Sequence, residues 1–114
     1  MVQGVLASVL AIGMVVMLSG CGESEAEKAE RLKLEKGQAV VEGLCIACHG
    51  QGINGAPIIG NKIQWGKRAA QGEDVLLQHA TQGYEMMPAR GGNPDLTDEE
   101  IAAAIAYMLS QLPE

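Results

Sequence analysis

The run Cys45-Ile46-Ala47-Cys48-His49 sets two thiols three positions apart with an imidazole directly after the second. On a helix this spacing puts both sulfurs on one side of a single turn, within reach of two vinyl carbons on one porphyrin edge. His49 is then carried beneath the ring towards the iron's proximal face, so the pattern reads as the attachment site of a c-type haem. A thioether is not released by equilibrium dissociation. Even a small domain therefore keeps such a cofactor and adjusts it through the axial ligands and their surroundings.

C-x-x-C also occurs in redox dithiols and in zinc sites, but each needs further context. A thioredoxin-like dithiol sits beside a βαβ pattern, and a zinc site needs a second ligand pair. Here His79 is the only other histidine and no second C-x-x-C exists. One covalent haem is the reading that the residues favour.

The 114 residues allow one domain. Residues 1–20 carry no charged side chain and run through Val5, Leu6, Val9, Leu10, Ile12, Val15, Val16 and Leu18, the pattern of a secretory signal. Its end, Leu18-Ser19-Gly20-Cys21, resembles a bacterial lipobox, in which the cysteine becomes a lipidated N-terminus after cleavage. No Lys or Arg precedes Lys28, which departs from the usual positive start. The expected organisation is a signal peptide over 1–20, a lipidated Cys21 with a short acidic tether over 21–27, and a haem domain over 28–114. Assigning Cys45 and Cys48 to haem and Cys21 to lipid uses all 3 cysteines and leaves none for a disulfide.

Every charged residue follows Cys21, and 8 basic against 14 acidic side chains leave a net charge of −6. That balance argues against nucleic acid and against electrostatic binding to anionic lipid, and it favours basic docking faces on partner proteins. With no Phe, 1 Trp and 2 Tyr, the chain has little aromatic bulk of its own for a core. A covalently held apolar ring supplies it.

Leu34, Val40, Val41 and Leu44 recur at helical spacing, predicting a helix over 28–47 that delivers the haem motif. Gly50-Gln51-Gly52-Ile53-Asn54-Gly55 has the letters of a dinucleotide fingerprint. It lacks the strand before and the helix after, so its glycines read as tight turns. A second helix is expected over 73–82, with Glu73 and Asp74 in its first turn and Gly83 at its end. A third starts at Thr97, where Glu100 completes a capping box, and runs to about residue 111 on a stripe of Ile101, Ile105, Met108 and Leu112. No strand alternation occurs, so the fold class is all-α: three main helices with loops wrapped around one haem.

The iron's other face decides between an electron carrier and a ligand-binding haem. Met87 stands directly before Pro88, in a loop between two predicted helices, and offers a soft thioether that favours ferrous iron. Met86 and His79 are the alternatives. Met87 is preferred on its placement, because His79 falls inside a helix.

On these residues the stretch 37–112 resembles a small bacterial class I cytochrome c, nearest to the monohaem group called cytochrome c-five. The resemblance implies that Gly37 and Val41 pack the first helix across the last near Ala106, Tyr107 and Met108. It implies that Pro57 or its neighbours provide a carbonyl orienting the proximal imidazole. It also implies that Met87, in Met87-Pro88-Ala89-Arg90-Gly91-Gly92, is the axial thioether, and that Trp65 and Arg68 lie where similar chains offer donors to a haem propionate. The extra cysteine pair of the cytochrome c-five group is missing here.

The expectation is therefore a monomeric, membrane-tethered electron carrier and not an enzyme. It works on the periplasmic face of the bacterial cytoplasmic membrane, with membrane-associated redox proteins as donor and acceptor. The alternative is a haem gas sensor or peroxidase-like protein with a displaceable Met87. For peroxide chemistry the loop offers Tyr84, Glu85 and Arg90 but no spare histidine.

Overall fold

Ser24 opens the first helix. Its hydroxyl accepts from the Glu27 backbone N–H at 3.2 Å, while the Glu27 carboxylate accepts from the Ser24 N–H at 2.8 Å. This reciprocal cap satisfies two of the donors that a helix start leaves unpaired. In the computed structural model, which describes residues 22–114, helix α1 therefore spans Glu25–Val40. It takes up residues 25–27, the end of the segment expected as a tether over 21–27. Cys21 and the signal-like stretch lie outside the described residues.

α1 continues into a π-helical turn, Val41–Cys45, and then a short α2, Ile46–His49. The wider turn shifts the helix phase between Val41, which is 1 % exposed in the core, and Cys45, which faces the cavity described below. Turns with left-handed backbone at Gly52, Asn54 and Gly55 follow, and no strand precedes them, which removes the dinucleotide reading. Three more α-helices follow among the described residues: α3 (Lys62–Ala69), α4 (Glu73–Gln82) and α5 (Asp98–Ser110). Among the described residues there is no strand, only an isolated bridge between Tyr84 and Met87.

The all-α expectation holds, with α4 at its expected bounds and α5 opening on the Thr97–Glu100 capping box. α3 is an addition to the three expected helices. Asn61 caps it, its side-chain oxygen accepting from the Gln64 N–H at 3.0 Å.

α1 crosses α5 where Gly37 is buried against Tyr107, within the expected 106–108 region, and against Ala103 one turn before it. Val41, Leu76, Ala80, Ile101, Ile105 and Met108 form the core with Trp65, and buried Ala103, Ala104 and Ala106 keep α5 thin enough for close approach. The core is small, and it ends at the wall of a large cavity.

Candidate functional site

A cavity of about 690 Å³ opens between α2, α3, α4, α5 and the loop that carries Met87. It lies within the range typical of cofactor sites, roughly 300–1,000 Å³. Cys45, Cys48 and His49 line it together with Trp65, Arg68, His79 and Met87. The sequence-selected residues are thus gathered around one space, except Cys21, which is outside the described residues.

His49 is 8 % exposed and its orientation is set from behind. Its Nδ1–H donates to the Pro57 carbonyl at 2.9 Å; a carbonyl only accepts, so the proton is on Nδ1. Nε2 is then left with a lone pair to offer a metal, the tautomer that a ligating imidazole needs. Trp65 supports the same ring, with centroids 6.1 Å apart and planes 25° from parallel.

Burial pushes the Cys45 thiol above the ordinary range for cysteine. A reactive dithiol requires the reverse, a stabilised thiolate, so the environment argues against the redox-dithiol reading. Among the described residues no group of three His, Cys, Asp or Glu side chains is arranged to hold a metal ion, which removes the zinc reading.

Two propionate donors were expected from α3. The single N–H of the Trp65 indole donates to the Ile58 carbonyl at 3.0 Å. Arg68 is half-buried on the cavity wall, with Nη1 donating to the Gln64 carbonyl at 2.6 Å and its remaining N–H groups available.

Met87 is half-buried against the core, whereas Met86 is 67 % exposed. The loop is fixed at both ends. Gly83 has φ +85°, and a Cβ there would lie 3.1 Å from the Ala89 nitrogen and 3.3 Å from the Met87 oxygen, so only glycine lets the chain fold back so closely. Downstream, the Arg90 guanidinium donates to the Leu96 carbonyl and to Asp98 of α5, both at 2.6 Å. His79 is on α4 as expected, but its ring is stacked on Tyr84. That partner is not readable from the sequence.

A cavity bounded by two thiols, an oriented imidazole and a thioether has the donor chemistry of a covalent haem site. The family model described as cytochrome C oxidase, cbb3-type, subunit III matches residues 32–108. Cytochrome c-555 of Prosthecochloris aestuarii is 38% identical over 91 residues, covering 73% of this chain and 92% of that protein. The chain belongs to the class I cytochrome c family.

Cytochrome c5 of Azotobacter vinelandii is also similar, 40% identical over 74 residues and covering 63% of this chain and 89% of that one. A chain from a crystal structure of an electron transfer complex of nitrite reductase with cytochrome c superposes with a TM-score of 0.65 at 35% identity. The match covers 68% of this cytochrome and 95% of that chain. This cytochrome carries one covalent haem c and is an electron carrier, not an enzyme. Its cavity fits that cofactor in size and in donor set. No helix among the described residues is long and apolar enough to cross a membrane.

Proposed function

We propose that this cytochrome is a membrane-tethered, single-haem electron shuttle whose iron is held by His49 and Met87. The observation that carries the ligand assignment is that His49, with Nδ1 spent on Pro57, and the half-buried Met87 line one cavity of haem size. The haem supplies a reversible one-electron Fe(III)/Fe(II) couple. Cys45 and Cys48 hold the porphyrin through thioethers, His49 offers Nε2 and Met87 its sulfur. Arg68, which lines the cavity with Lys67 and Arg90, pairs with a propionate. With His49 and Met87 both supplied by the folded chain, the haem group would be held in one arrangement as it gains and loses an electron, which would keep reorganisation small.

Cys21 anchors the domain through lipid on the periplasmic face of the cytoplasmic membrane. Its donor and acceptor are redox proteins of the same membrane; the nitrite reductase complex of the similar structure supports partners of that kind. Two measurements test this reading. A potentiometric titration should give one single-electron wave, with the ferrous form inert to carbon monoxide; a carbon-monoxide-reactive ferrous form would make this a ligand-binding haem. Cell fractionation should find wild type in the membrane and Cys21→Ser released with its haem; a variant still in the membrane would overturn the lipid anchor.

A further inference from the structure

Residues 84–87 close a two-residue hairpin. The Met87 N–H donates to the Tyr84 carbonyl at 2.9 Å and the Tyr84 N–H donates to the Met87 carbonyl at 3.1 Å. The turn is strained, because Glu85 has φ +51°, a left-handed conformation that a side-chain-bearing residue keeps only when its surroundings impose it. Glu85 and Met86 are exposed and cannot impose it, and an isolated hairpin is marginal in water.

Gly83 and Arg90 fix the ends of the loop, and within the hairpin the structure adds a side-chain restraint, the ring of Tyr84. It lies flat on the His79 imidazole, with centroids 3.8 Å apart and planes within 8°. His79 stands on α4, which is anchored in the core through Leu76 and Ala80. A rigid helix therefore holds Tyr84 by its side chain, and Tyr84 holds Met87 by two backbone hydrogen bonds.

We propose that the Tyr84–His79 stack is the positioning device for Met87, keeping its sulfur directed into the cavity. This rests on the reading that Met87 is an axial ligand. Tyr84 and His79 act through Met87, and neither binds iron. Without the stack, the hairpin keeps its strained turn and two backbone hydrogen bonds but loses its side-chain tie to α4, and it opens more often than the rest of the fold.

The test uses haem-loaded protein as wild type, Tyr84→Ala, Tyr84→Phe and His79→Phe. Along a guanidinium titration, the near-infrared sulfur-to-iron band of the ferric form reports Met ligation and far-UV dichroism reports the helices. Tyr84→Ala should lose the band well before helicity and raise the carbon-monoxide-reactive ferrous fraction about two- to tenfold, the range of one aromatic contact. Tyr84→Phe and His79→Phe keep two flat rings and should behave as wild type. Band and helicity shifting together in Tyr84→Ala, or no shift at all, overturns the proposal, as does loss of the band in the Phe variants. A wild type without the band sinks the Met87 assignment itself, an outcome distinct from a wild-type band that Tyr84→Ala leaves unchanged.

Discussion

Gly37 of α1 rests on the backbone carbonyl of Ala103 on α5, so close that a Cβ at position 37 would fall on that carbonyl. The contact sets the α1–α5 crossing, and α1 leads through the π-helical turn to Cys45, Cys48 and His49. Backbone cannot yield as a flexible side chain does. Gly37→Ala is expected to cost about 2–3 kcal/mol, the upper range for an overpacked core, and to lower the thermal midpoint of the haem-loaded protein. Calorimetry checks it; a midpoint equal to wild type would mean that the helices separate without penalty.

Trp65 is 4 % exposed and its indole N–H satisfies the Ile58 carbonyl. Trp65→Phe keeps an aromatic ring beside His49 but leaves that carbonyl without its donor, at a cost of about 1–3 kcal/mol. Chemical denaturation should show the loss while the potential moves little, because Pro57 still orients His49. A large shift in potential without loss of stability would mean that the indole acts on the haem directly.

Much of this arrangement is readable from the chain, for identifiable reasons. Cys45, Cys48 and His49 form a local pattern whose chemistry depends on spacing alone, and the Thr97–Glu100 box is written in four residues. α3 left no apolar stripe: of its residues only Trp65 is buried, while Ile63 is 93 % exposed and Gly66 interrupts the run. Its readable signal was Asn61 with Gln64 three positions on. The same signal at Ser24 and Glu27 marked the early start of α1. The π-helical turn and the Tyr84–His79 stack are set by tertiary packing and have no local sequence mark. The hydrogen bond from the Trp65 indole has no mark in the sequence either, because its acceptor, Ile58, belongs to a loop whose path only the fold defines.

Thr97 and Glu100 give α5 a pH-dependent start. The Thr97 backbone N–H and hydroxyl, with Lys36 nearby, hold the Glu100 carboxyl below the usual carboxylate range. Its folded pKa is below the unfolded value of about 4.3, so its stabilisation is present above that pH and is lost as pH falls through the folded value. Glu100→Gln should flatten this acid limb of the stability curve, and Thr97→Ala should cost about 1 kcal/mol at neutral pH. Denaturant midpoints between pH 3 and 7 test both; an unchanged acid limb in Glu100→Gln would remove Glu100 from the account.

Replacing both Cys45 and Cys48 by Ala removes both thioether positions. In wild type the haem should remain on the chain through acid and organic extraction, and the intact mass should include one porphyrin. The double variant should release all of it to the solvent. Haem that stays with the double variant would place the covalent link elsewhere.

The most direct test of the account is the near-infrared spectrum of ferric wild type beside Met86→Ala and Met87→Ala. The sulfur-to-iron band should be present in wild type and in Met86→Ala and absent in Met87→Ala, as expected for an iron held between His49 and Met87. A band that survives in Met87→Ala, or one missing from wild type, would contradict it.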